Sequence, residues 1–261
     1  MIFGFPRSFP PDQVELDLPD IAAARAVAGP LLQPLDAVLE KRAHQLAPLR
    51  TSVADAQSLL SRCDDAIRIA YVRLALRHGS LGNDFHAYHN EGHILDILDG
   101  RIGRLIETHG IFVLGLRESC ALNLFAGCHD LRQREEAAYQ AGVGANERAS
   151  IEETFRLLDA CGFSRTADAD LYRALDLMIA GSTFDARPPP GGAAFNAAEL
   201  VQSGGAMAAQ LAQKLDKHSP GWREDAGMVQ AHALALVAAD LDTANVAEPF
   251  LRFAGSAENL C

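Results

Sequence analysis

An all-α fold is what this 261-residue chain predicts, and three observations lead there. From Leu35 onward apolar residues recur at three- and four-residue intervals; alternating apolar and polar stretches bounded by turn dipeptides are nearly absent; and capping residues punctuate the periodic segments. The elements follow in order. Residues 1–33 carry Pro6, Pro10, Pro11, Pro19 and Pro30 without a sustained period, which predicts an irregular proline-rich arm with one short helix through "IAAARAV". Residues 34–261 read as a single helical domain. "LDAVLEKRAHQL" and "VADAQSLLSRCDDAIRIAYVRLALRH" open it as two helices, and further helices are expected at about 91–108, 114–130, 147–161, 168–181, 197–217 and 225–240. Gly110 and Gly162 stand where helices would stop, and Ser150 lies three residues before Glu153 at capping-box spacing. "RPPPGGAAF", residues 187–195, is a Pro/Gly connector.

Composition narrows the function. Hydrophobic residues make up 49% and charged residues 22%, ordinary for a folded globular chain. The net charge of −11 supplies no basic footprint for a polynucleotide backbone, so a nucleic-acid polymer is not an expected partner. A small anionic substrate stays compatible, because a bound cation inverts charge locally. The five cysteines (Cys63, Cys120, Cys128, Cys161, Cys261) are scattered singly, which argues against a disulfide framework and a thiolate zinc site. Cys128, next to a His-Asp pair, is explained by burial without a nucleophilic role. No leader-like start and no run of roughly 20 apolar residues is present, so a cytoplasmic protein without a membrane partner is expected; nothing opposes a homo-oligomer.

The chemistry concentrates in four places. "AYHNEGHILDIL", residues 87–98, sets His89, Asn90 and His93 at the start of an amphipathic helix. In "ALNLFAGCHDL" an apolar helix ends on His129 and Asp130, adjacent side chains that can reach one point. In "AHALALVAADLDTAN", Asp240 follows Leu236 by four residues and Val237 by three, which assigns it to an apolar face. A carboxylate there is costly unless paired or bound to a metal. Two imidazoles and two carboxylates form a mixed nitrogen and oxygen set suited to a divalent ion such as Mn, Fe, Co, Ni, Zn or Mg.

The order H…HD…D on helices resembles the HD-domain superfamily of metal-dependent phosphohydrolases. Tyr88-His89-Asn90-Glu91-Gly92-His93 is similar to the YHNxxH signature of class I cyclic-nucleotide phosphodiesterases and of small bacterial HD proteins. Ala238-Ala239-Asp240-Leu241 resembles their final metal-aspartate segment, and "NERAS" (146–150) an NExxS element of the small bacterial members. The resemblance implies an HD-type helical bundle over roughly residues 60–245, with His93, His129, Asp130 and Asp240 as metal ligands. It also implies His89 as general acid and Glu147 as a group that orients a metal-bound water or meets a second ion. Asn90 has two readings, a polar contact to a water or ligand and a helix N-cap. His86 reads as a partly exposed neighbour, and Asp242 as a surface or helix-end residue with a supporting role left open.

The match also departs from its families. The histidine expected shortly after HD and the glutamine expected beyond the last aspartate have no counterpart here, which weakens a cyclic-nucleotide substrate. The expected function is metal-dependent hydrolysis of a small phosphate ester, a nucleotide or related metabolite. The alternative is a catalytically silent nucleotide-binding module. A di-iron oxygenase is disfavoured, because its additional histidine ligands are missing.

Overall fold

The computed structural model describes residues 2–4, 8–133, 144–183 and 208–244, and every regular element among them is helical. The principal helices are α1 (Gln13–Asp17), α2 (Ile21–Ala28), α3 (Gln33–Gln45), α4 (Ala56–His78), α5 (Glu91–Leu95), α6 (Gly103–His109), α7 (Leu116–Cys128), α8 (Ala145–Ala160), α9 (Ala169–Gly181), α10 (Leu211–His218) and α11 (Ala226–Thr243). The connector at 187–195, and residues 197–207 of the helix expected at 197–217, lie outside the described residues. No helix among the described residues is long and apolar enough to cross a membrane.

At the centre lies α7, whose residues from Ser119 to Cys128 are all buried, so it has no solvent face to present. It packs against α4, α8, α9 and α11, while α9 and α11 lie along each other. In α4 the buried positions Leu59, Leu60, Cys63, Ala66, Ile67, Ala70 and Leu74 follow the three-and-four spacing that defines one apolar face. One continuous cluster of buried side chains joins these helices from Leu18 to Leu241. All four described cysteines are free thiols, and burial pushes Cys128 up to about 12, the behaviour of a core residue.

The N-terminal segment corrects the expected irregular arm. Its helix through "IAAARAV" is flanked by a second, α1, and each begins on an aspartate (Asp12, Asp20) whose carboxylate accepts a first-turn N–H. Phe9, Leu18, Ala24 and Leu32 are all buried, so this segment belongs to the core. Each large apolar side chain so buried contributes about 1.5–3 kcal/mol. A second correction concerns Ser150, which lies inside α8 and starts nothing. Its Oγ accepts the Arg132 N–H at 3.0 Å and so ties α8 to the end of α7.

The helix expected at 91–108 exists with an insertion. Asp96–Ile102 between α5 and α6 is a π-helical turn, and the run ends at Gly110, whose φ of 81° suits a residue without Cβ. A π turn rotates the chain by less than the 100° per residue of an α-helix. Arg101 is thereby buried toward the end of α11.

Candidate metal centre

Three helix ends bring the polar cluster together. The loop 79–90 and the first turn of α5 supply His89 and His93, the residues following α7 supply His129 and Asp130, and the last turn of α11 supplies Asp242. The loop is held by its own polar groups. Asn90 Oδ1 accepts the Gly92 N–H at 2.8 Å and its Nδ2 donates to the His86 carbonyl at 2.7 Å. His86 Nδ1 accepts the N–H groups of Tyr88 and His89. Of the two readings of Asn90, the contacts are those of the N-cap: the amide shapes the turn that carries the histidines.

His93, His129 and Asp242 each aim a ligand atom at a common region, and these atoms lie within 4.8 Å of one another. His93 Nε2 is 3.2 Å from Asp242 Oδ1 and 3.7 Å from Asp130 Oδ2; His129 Nε2 is 3.3 Å and 3.1 Å from the same two oxygens. The histidine side chains are 2% exposed and the carboxylates 5% (Asp130) and 12% (Asp242). Asp240, expected as the last ligand, does not join them. It is exposed, on the same side of α11 as the exposed Leu236 four residues earlier. Asp242, four residues after buried Ala238 and seven after buried Ala235, occupies the place in the cluster.

His129 decides what the cluster can hold. Its Nδ1 lies 3.1 Å from the Phe125 carbonyl, an acceptor only, so Nδ1 carries a proton and Nε2 is left facing the carboxylates. That Nε2 is buried and makes no hydrogen bond, although carboxylate oxygens stand at 3.1 and 3.3 Å. An orphaned buried ring nitrogen among convergent carboxylates fits a cation position, with two nitrogen and two oxygen donors. A proton is the other way to supply the missing charge. Without a cation, burial opposes an imidazolium at His129, yet the Asp130 and Asp242 carboxylates overcome it and hold its pKa well above the usual value. Burial raises the two carboxyls, and His129 with its neighbouring histidines pulls both below the usual range. His93, buried and less strongly paired, is shifted down.

A second layer fixes the donors. His89 Nδ1 contacts Asp130 Oδ2 at 2.9 Å, and Gln133 Nε2 donates to Asp130 Oδ1 at 2.7 Å. His89 is the most open of these rings, with a side chain 24% exposed. Burial alone would lower its pKa, but the Asp130 carboxylate outweighs that and raises it. Arg101 donates to the carbonyls of Leu241 and Asp242, and the Tyr88 hydroxyl also reaches the Asp242 carbonyl, at 3.4 Å. The Tyr88 ring lies 4.5 Å from that of His93. Glu147 stands in the first turn of α8, half-buried. Burial raises its carboxyl, the Asp130 and Asp242 charges raise it further, and a Thr183 contact opposes them.

Sequence reasoning therefore brought His89, His93, His129 and Asp130 to one place, and missed the place of Asp242 in the cluster and the part played by Arg101. Nothing in the sequence pointed to Arg101, whose contacts depend on the π turn. No family model, curated protein or solved structure matches this chain.

Proposed function

We propose that the protein is a metal-dependent phosphohydrolase acting on a small phosphate ester, with a divalent cation held by His93, His129, Asp130 and Asp242. The observation that carries this reading is the buried Nε2 of His129, which makes no hydrogen bond while it faces two carboxylates and a second imidazole. The order YHNxxH, HD and a helix-borne aspartate, which resembles the HD-domain superfamily, supports it.

When bound, such a cation supplies an acidified water and polarises the phosphoryl oxygens. The chain supplies the rest. Asp130 bridges the two tasks, with one oxygen toward the histidine ligands and the same carboxylate fixing the His89 ring through Nδ1. That contact leaves His89 Nε2 for proton exchange. In its imidazolium form Nε2–H protonates the departing alkoxide as the P–O bond breaks, while the phosphate keeps the oxygen delivered by water. His89, the more open ring at 24% exposed, thus stands toward solvent, with the proposed ligands His93 and His129 at 2%.

The test is direct. Protein loaded separately with Mn²⁺, Mg²⁺, Co²⁺, Ni²⁺, Fe²⁺ or Zn²⁺ is screened against nucleoside monophosphates, cyclic nucleotides, pyrophosphorylated nucleotides and aryl phosphates. EDTA-sensitive release of phosphate or pyrophosphate is expected. Nucleotide binding without turnover under any metal would replace this reading with a silent regulatory module.

A further inference from the structure

Between the Asn90 cap and His93 stands Glu91, whose side chain is buried. An acid in the first turn of a helix ordinarily stays in water, where the helix dipole already favours it. Here it packs against the end of α4. Oε1 accepts the Ser80 N–H at 3.0 Å. Oε2 lies against Gly79 and makes no hydrogen bond. A Cβ at residue 79 would stand 1.6 Å from that oxygen and 2.8 Å from the Ala75 Cα. The Gly79 backbone, with φ of −121° and ψ of −153°, is extended and open to any residue, so space and not conformation demands glycine there. The Tyr71 hydroxyl is a further neighbour, pushed up to about 12 by burial and then by the Glu91 charge. Burying a carboxylate with one oxygen unsatisfied costs stability, which makes what the other oxygen holds informative.

It holds the loop that carries His89. Ser80 is the second residue of loop 79–90 and Glu91 the first beyond it, so one carboxylate ties the beginning of the loop to its end. Two main-chain bonds tie the stretch between to α4: the Leu81 N–H donates to the Ala75 carbonyl at 3.1 Å and the His86 N–H to the His78 carbonyl at 2.8 Å. Asn90 Nδ2 then joins the last turn of the loop to the His86 carbonyl. A segment of this length with its ends drawn together is an Ω-loop. His89 lies two residues before Glu91, and its Nδ1 is set 2.9 Å from Asp130 Oδ2. Asp130 therefore holds the ring, and Glu91 holds the backbone that brings the ring there.

We infer that Glu91 is a positioning residue for His89: by fastening both ends of loop 79–90 it sets the backbone from which the imidazole meets Asp130. Its effect on turnover rests on the phosphohydrolase reading, whereas its effect on the place of the His89 ring does not. Glu91 acts through a main-chain N–H, for which only an acceptor in the right place is needed. An amide oxygen at the same reach can serve as that acceptor, and a shorter side chain cannot.

The experiment compares the full chain with Glu91→Ala, Glu91→Asp, Glu91→Gln, His89→Ala and the His89→Ala, Glu91→Ala double variant. In the first arm kcat is measured at saturating Mn²⁺ on ethyl phosphate and on nitrophenyl phosphate. Glu91→Ala should lower kcat roughly 10- to 100-fold on the ethyl ester, the usual worth of a group that orients a reacting one, and less on the nitrophenyl ester. Glu91→Asp, which keeps the charge and loses the reach, should do the same and carries the comparison if Glu91→Ala does not fold. Glu91→Gln, the conservative change, should restore most of what Glu91→Ala loses. Added to His89→Ala, Glu91→Ala should cost nothing further, since both act through one imidazole. The second arm needs neither turnover nor metal. Two-dimensional NMR of the histidine ring nitrogens, with the His89 signal assigned by its loss in His89→Ala, should show that signal moving toward a solvated imidazole in Glu91→Ala and Glu91→Asp while those of His93 and His129 stay in place. Hydrolysis of neither ester would count against the phosphohydrolase reading alone, and a shifted His89 signal would then still support the positioning role. An unmoved His89 signal, a joint shift of all three histidines, equal losses on both esters, or losses that multiply with those of His89→Ala would overturn it.

Discussion

His89 sits one layer outside the proposed metal ligands and touches one of them, Asp130. Removing it should leave the fold intact and stop proton delivery; because its ring also holds the Asp130 carboxylate, metal binding should weaken by no more than about 10–100-fold, and turnover is compared at saturating metal. His89→Ala is expected to lower turnover of alkyl phosphates roughly 10²- to 10⁴-fold, the usual worth of a positioned acid or base. The loss should shrink for nitrophenyl phosphate, because a stable leaving anion scarcely needs a proton; steady-state rates on both esters with metal analysis check this. At the same scale lies the residue that the sequence misassigned. Asp240 and Asp242 are both aspartates near the end of a helix apolar almost all round, so the position of the buried face is ambiguous from hydrophobicity alone. Choosing Leu236 and Val237 as the face points to Asp240, whereas Leu236 is exposed. Following Ala231, Leu234, Ala235 and Ala238, which are buried, leads at helical spacing to Asp242. His93, His129 and Asp130 were legible because polar residues breaking an otherwise apolar helix stand out whichever face is inside.

Between α5 and α6 the π turn gives an element-level reason for the placement of Asp242. Arg101 is buried there and donates to the last carbonyls of α11, which fixes the backbone from which the Asp242 carboxylate projects. Groups that orient a ligand in this way are typically worth 10–100-fold in metal affinity. Arg101→Met, which keeps the stem and removes the donors, should therefore weaken metal binding by about that factor while helical content is retained. Titration calorimetry and circular dichroism together check it, and unchanged affinity would assign Arg101 to packing alone. Periodicity could not announce this feature, since a π turn leaves the helical pattern of "HILDILDGRIGRLIETH" intact. Helix order was readable because each apolar face repeats over several turns. The correction at Ser150 has the same origin as the miss at Arg101: a local motif is compatible with a cap, but long-range packing runs α8 on from Ala145 and gives its hydroxyl to Arg132.

Across the whole molecule, a charged lattice joins the N-terminal segment to the helices behind the histidine–carboxylate cluster. Glu153 is fully buried and accepts from Arg73 at 3.0 Å and from Arg77 at 2.9 Å, with Arg132 at 3.5 Å. Arg77 reaches on to Asp12 and to the Leu131 carbonyl, and Arg156 clamps Glu15. Such pairs join residues far apart in sequence, and for that reason the proline-rich start read as an irregular arm when it is part of the core. Glu153→Ala leaves buried arginines uncompensated and should destabilise the fold by about 3–5 kcal/mol, read from denaturant unfolding; a cost below 1 kcal/mol would mean that the lattice is relieved by water. The same lattice holds Leu131 and Arg132, and so places the preceding His129 and Asp130 against His93 and Asp242 of two other helices. If these helix ends meet around one cation, elemental analysis with metal titration of three proteins will register it. One equivalent of divalent metal is expected in the wild type, near-complete loss in Asp242→Asn, and full retention in Asp240→Asn. Retention in Asp242→Asn together with loss in Asp240→Asn, or no metal bound by the wild type, would contradict it.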